Sequence, residues 1–297
     1  MLADLESRFG RGEALFFTLE RGDLVCANMA APGGATAQVL VQGGQVISWC
    51  PRGGVEALFT AAGAVFAPGA SVRGGIPVIF PQFGPGPIVN HGFARTALWS
   101  IVGSSVADDG VALTVSLTDS PTSRAMWPHR FRVDLTVTVS EALTLELWIE
   151  NTDDHPWECT YLLHNYFAVG NAATAGIVGL HGLEFIDKTR GGVSGFETRE
   201  EVVTERFTDR IYRDAPETVE LLDRAGGRRF VISRDNFRDV VVWNPGSERI
   251  SSLADCAPDD YTRFVCVESG NVAAPVVIPT GERVVSIQTV RSEAGEG

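Results

Sequence analysis

The chain has 297 residues, 44% of them hydrophobic and 21% charged, with a formal net charge of −13 at pH 7. That supplies a sizeable core and indicates neither disorder nor a fibrous class. The acidic balance argues against a nucleic-acid or anionic-membrane surface, because phosphate backbones are held by clustered Lys and Arg. It leaves room for a small phosphorylated ligand held by a few arginines, since salt screens charges more than about 10 Å apart.

From the N-terminus, Met1 to Gly10 carries acids and no apolar h-region, so no signal peptide is expected. No apolar run approaches the roughly 20 residues of a membrane-spanning helix, and a soluble, cytoplasmic protein is the expectation. The five cysteines (Cys26, Cys50, Cys159, Cys256, Cys266) are widely spaced and odd in number, which suits free thiols in a reducing compartment. The first clear period-two run places Val111, Leu113, Val115 and Leu117 on one face. Short helical turns are expected near Pro121 to Trp127. Val133, Leu135, Val137 and Val139 then alternate with polar residues, and Leu143, Leu145, Leu147 and Ile149 do so again after the spacer Ser140-Glu141-Ala142. That is the pattern of an antiparallel hairpin. Gly191 to Gly195 reads as a loop tip. Further strands are expected at Val240–Trp243, Phe264–Val267 and Val285–Gln288, with helical turns near Ser251 to Cys256. No βαβ alternation, repeat or linker is evident. The reading is an all-β fold, a large antiparallel sandwich or barrel with a few short helices, formed as one domain over residues 1–297.

Several segments carry candidate chemistry. In the stretch from Arg73 to Pro87, Pro77, Pro81, Pro85 and Pro87 remove backbone donors, so a central strand is excluded. A rigid, partly buried segment remains, which suits either a site wall or a stiff structural loop. Asn90, His91 and Arg95 follow closely. Either Arg73 or Arg95 alone reads as a surface charge, whereas two in neighbouring rigid loops make a plausible anion site. His164 lies within an apolar strand-like run and could be a core histidine or an acid–base group. Glu268 ends the run Phe264-Val265-Cys266-Val267; it is either a surface carboxylate at a strand end or a desolvated one with a raised pKa. Asp209 reads as an exposed turn acid. No Gly-x-Ser-x-Gly elbow, phosphate-binding glycine loop or helical metal-binding histidine pair occurs.

Taken together, the segments at 73–77 (Arg-Gly-Gly-Ile-Pro), 91–95 (His-Gly-Phe-Ala-Arg) and 127–129 (Trp-Pro-His) resemble those of hexose-6-phosphate mutarotases, or glucose-6-phosphate 1-epimerases. These form a branch of the aldose 1-epimerase superfamily. Five more segments continue the resemblance: 163–170, 185–188 (Phe-Ile-Asp-Lys), 208–212, 241–245 and 264–268. It spans about residues 35–290. The resemblance implies a galactose-mutarotase-like supersandwich that needs no metal and no organic cofactor. It implies His164 as general acid and Glu268 as general base in opening and closing a sugar ring. Arg73 and Arg95 would hold the substrate, its phosphate in particular, and Asp209, Asn90 and His91 would bind it too. Asn165 departs from the usual Thr or Ser, and Asn90 stands where Gln is usual. The implied partner is a small sugar phosphate, with a monomer as the default. A mutarotase for free aldoses and a non-catalytic carbohydrate-binding sandwich are the alternatives. With Glu268 ionised and His164 partly protonated, the expected pH profile is a bell with its acidic limb from Glu268 and its basic limb from His164.

Overall fold

A computed structural model describes residues 1–295. The alternating runs become strands because each side chain set has an apolar face to bury. Phe131–Val139 and Leu143–Asn151 pair in the expected hairpin, with Val137 opposite Leu145 and Val139 opposite Leu143. The Ser140 N–H closes the turn on the Ala142 carbonyl at 2.9 Å. Between two flanks these strands extend into a nine-stranded antiparallel sheet. Its central members are Arg228–Asp235, Arg283–Ala294, Leu143–Asn151 and Phe131–Val139.

A second sheet has eight strands, ordered Val193–Phe196, Glu184–Asp187, Thr208–Tyr212, Asp239–Asn244, Phe264–Ile278, Trp157–Leu163 and Val78–Ile79. Tyr166–Ala168 also pairs with Phe264–Ile278. A four-stranded sheet of Leu15–Glu20, Leu24–Ala30, Thr36–Leu40 and Gln45–Cys50 completes the fold. The two faces of the eight-stranded sheet differ. Leu163, Val240, Val242, Val265 and Val267 point inward and join Leu145, Leu147, Phe230 and Val290 of the nine-stranded sheet in one apolar cluster. Full burial of such side chains contributes about 1.5–3 kcal/mol each. Period two sends Val241, Trp243, Cys266 and Glu268 to the opposite face. There Tyr166, Phe264 and Cys266 pack with Phe59 and Ile47, and Leu162, Ile211 and Val241 form a smaller cluster.

The proline-rich stretch yields only the two-residue strand Val78–Ile79 at the sheet's end, where a missing N–H does least harm. Before it, Gly75 has φ +62°, and a Cβ there would lie 2.1 Å from the Val46 carbonyl oxygen. Glycine lets this chain run close against the edge strand Gln45–Cys50, where Ile76 bridges Val46, and present Arg73.

Helices are few, and the expected turn at 121–127 is the helix Pro121–Met126 with a Ser120–Ser123 capping box. Three expectations need correcting. The turn placed near 251–256 starts earlier, as Gly246–Arg249 and Ile250–Ser252. Gly191–Gly195 is only partly a loop tip: Val193–Phe196 turns back as a strand against Glu184–Asp187. Glu268 ends the apolar run but not the strand, which continues to Ile278. The helix Leu2–Phe9, which packs Leu2, Leu5 and Phe9 against the core, was not among the expected elements. All five cysteines are free.

Candidate active site

Strand register brings His164 and Glu268 together. Leu163 pairs with Ser269 and Tyr166 with Cys266, so the two residues between, left out of the ladder, place His164 opposite Glu268. At this break the His164 N–H turns to the Pro77 carbonyl at 3.0 Å. Asn165 points inward, and its side-chain amide donates to the Val267 carbonyl at 2.8 Å, in effect repairing the gap. That amide also exchanges hydrogen bonds with Gln288 at 2.8 and 2.9 Å, and Ser269 donates to the same Gln288 oxygen. The acid–base candidates therefore rest on a fully hydrogen-bonded polar seat.

His164 Nδ1 lies 3.4 Å from Glu268 Oε1, without hydrogen-bond geometry between them. Nδ1 of His164 and Oε2 of Glu268 are buried and have no hydrogen-bond partner. Glu268 is 1% exposed, so the surface alternative raised for it does not hold. The His164 ring stacks on Tyr166 at 4.6 Å and 9°. Burial, helped by His91, Arg95 and Arg73, pushes the His164 pKa well below 6.5. Burial, helped by Asp209 and opposed by Lys188, pushes Glu268 well above 4.5. Both shifts run against the expectation of an ionised Glu268 and a partly protonated His164. A dry site disfavours charge on either group, which favours carboxylic acid beside neutral imidazole over carboxylate beside imidazolium.

All seven candidates, Arg73, Asn90, His91, Arg95, His164, Asp209 and Glu268, line one cavity of about 250 Å³. Arg73 is committed: its Nε donates to both oxygens of Asp255 at 3.2 Å and its NH1 to the Tyr166 hydroxyl at 3.3 Å. Arg95 uses one donor, toward the Asn90 carbonyl at 3.0 Å, and has no carboxylate partner among the described residues. Asn90 is exposed at the mouth. His91 sits at φ +66°, and its Nδ1 accepts the Gly84 N–H at 3.2 Å. The ring proton is thereby assigned to Nε2, and burial with the Arg95, Lys188 and Arg73 charges lowers the His91 pKa to about 3. His91 is thus a fixed neutral donor. Asp209 is a strand residue rather than an exposed turn acid; burial raises its pKa while Lys188, 3.5 Å away, opposes that.

The residue reading missed Lys188, Tyr166 and Trp243 as cavity walls. Lys188 lies 4.6 Å over the Phe83 ring and adds a third cation. All three sat inside the segments that carried the resemblance; what the sequence lacked was the pairing that turns them inward. A larger cleft of about 400 Å³ lies beyond Asp187, but its Arg199 and Arg210 are already bound to Glu197. No helix among the described residues is long and apolar enough to cross a membrane.

Known proteins match this chain in sequence and fold. The family model for aldose 1-epimerase covers residues 26–291. A protein of Cenchrus ciliaris named "Putative glucose-6-phosphate 1-epimerase" is 31% identical over 256 residues, spanning 83% of this chain and 78% of the relative. One of Escherichia coli K12 with the same name is 35% identical over 242 residues, spanning 78% and 79%. The Salmonella typhimurium "putative mutarotase" YeaD superposes with a TM-score of 0.89 at 30% identity over 95% of each chain. A galactose mutarotase-like protein of Clostridium acetobutylicum, 16% identical with a TM-score of 0.73 over 95% of this chain and 100% of its own, shares the fold. With that match running through nearly every sheet described above, the chain belongs to the aldose 1-epimerase family.

Proposed function

We propose that this enzyme interconverts the α and β anomers of a hexose 6-phosphate, glucose 6-phosphate first among them. The observation that carries the reading is the unpartnered His164–Glu268 pair in a cavity that also holds the guanidinium of Arg95, which has no carboxylate partner among the described residues. The names of the two relatives point to the same substrate.

The chemistry is proton exchange around a hemiacetal. Glu268 as carboxylate takes the proton from the anomeric hydroxyl while His164 as imidazolium protonates the ring oxygen, and the bond between C1 and the ring oxygen breaks. The sugar becomes the open aldehyde, Glu268 the acid and His164 the neutral base. Rotation about C1–C2 and the reverse transfers close the ring on the other face. Opening therefore moves the pair's single proton from imidazole to carboxyl. Burial favours that second arrangement, so the dry site stabilises the pair as it stands beside the open chain. A positioned acid or base contributes typically ~10²–10⁴-fold. Arg95, with Arg73 and Lys188, supplies the cationic wall for the phosphate, and His91 and Asp209 are placed for sugar hydroxyls.

Exchange between anomer signals, followed by NMR, tests this. The enzyme should accelerate exchange of glucose 6-phosphate well above that of glucose. Arg95→Ala should raise KM for the phosphate ester about 10- to 100-fold, the loss of a charge-assisted contact or two, and leave exchange of glucose unaltered. Equal rates on both sugars, insensitive to Arg95, would assign the cavity to free aldoses; binding without exchange would make it a carbohydrate receptor.

A further inference from the structure

We propose that His129, Asp153 and His155 form a site for one divalent transition-metal ion, Zn²⁺ in particular, separate from the sugar cavity. The residues come from the entry to the strand Phe131–Val139 and from the turn between Leu143–Asn151 and Trp157–Leu163. The two histidines are far from helical metal-site spacing, so sequence periodicity could not pair them. One donor atom from each of the three residues lies within 4.8 Å of the others. Nδ1 of His129 is 3.8 Å from Oδ2 of Asp153, and Nδ1 of His155 is 3.7 Å from Oδ1. Zinc holds such ligands at about 2.0–2.2 Å, so neighbouring ligand atoms sit roughly 3.3 Å apart around it. Small ring rotations cover the difference.

Three observations point to a ligand here. Nδ1 of His129 is buried without a hydrogen-bond partner, although its ring is packed 4.5 Å from Trp127. Such a group is costly in a folded protein unless something binds it. The Asp153 carboxylate is 8% exposed and held by backbone: Oδ2 accepts the Arg130 N–H and Oδ1 the Asp154 N–H, each at 3.0 Å. The turn itself is braced by Asn151, whose amide donates to the carbonyls of His155 and Ile278 and whose oxygen accepts the Asp153 N–H. Ligands so supported keep their geometry as an ion arrives. His155 Nδ1 also lies 2.9 Å from Asp154 Oδ1. That carboxylate is 85% exposed, and exchanging it for a metal gives up little. Two imidazoles with one carboxylate suit zinc, copper or nickel rather than calcium or magnesium, which take oxygen ligands.

The test uses the full chain after EDTA treatment, titrated with ZnCl₂ by calorimetry and with CoCl₂ by visible absorption. One ion per chain is expected, with cobalt bands of a nitrogen–oxygen site. His155→Ala, at a half-exposed position, and Asp153→Asn should each weaken binding roughly a hundredfold. Cys266→Ser should leave it unaltered; this separates the site from the other constellation with ligand spacing, His164, Cys266 and Glu268. Absence of binding at millimolar metal overturns the proposal. So does binding that survives both turn variants or vanishes with Cys266→Ser.

Discussion

The inner and outer faces of the eight-stranded sheet are built from alternate residues of the same strands, yet they obey different rules. Leu163 and Val267 face the nine-stranded sheet in an apolar cluster whose polar insert, Asn165 with Gln288 and Ser269, is hydrogen-bonded, while their neighbours His164 and Glu268 face the cavity with polar atoms left unpartnered. One face is arranged for stability. On the other, two buried ionisable groups hold a conformation that costs stability and suits chemistry. The lesson is that a one-residue step along a strand, not distance, separates scaffold from machinery in this molecule.

The largest expected effects test that division directly. His164→Ala and Glu268→Gln should each lower the anomer-exchange kcat by about 10²–10⁴-fold, and His164→Ala should leave the denaturation midpoint unchanged or raised, because it removes a buried ring nitrogen that has no partner. A loss of less than tenfold would place the chemistry elsewhere. Next in size, Leu163→Ala should cost about 2–5 kcal/mol, read by urea denaturation. Its folded fraction should stay far nearer wild-type kcat than His164→Ala does; an equal loss of kcat would show that the two faces are not separable.

The smallest effect concerns pH. Adding a second proton to the pair puts it on His164 and leaves no base; removing the shared proton takes it from Glu268 and leaves no acid. The acidic limb therefore belongs to His164 and lies below its ordinary 6.5, and the basic limb belongs to Glu268 and lies above its ordinary 4.5, the reverse of the assignment made from unperturbed values. Rates should fall about tenfold per pH unit beyond either limb. An NMR titration of the His164 ring showing protonation at or above 6.5 would falsify this order.

Much of the scaffold was legible in the sequence because period two is written into it. The runs at 133–139 and 143–149 have no polar residue on their buried face. Glu268 was harder to place. Beyond it come Ser269, Gly270 and Asn271, which read as a turn, yet they continue the strand because their polar groups find Gln288, Asn236 and the Arg238 N–H. Tertiary partners, not composition, decide such residues. The same holds for Lys188, which in isolation is a charge at a turn and gains its role from Asp209 across the sheet. Ionisation order was illegible for a like reason: unperturbed values describe water, and neither member of the pair is in water.

The reciprocal amide bonds between Asn165 and Gln288, 123 residues apart, also constrain how the chain can drift. Replacing one amide alone strands a polar group on its mate within a sealed interior, the Gln288 nitrogen if Asn165 is lost or the Asn165 oxygen if Gln288 is lost. A change that removes the amide at 165 therefore calls for a matching change at 288 to keep the seat on which the imidazole stands.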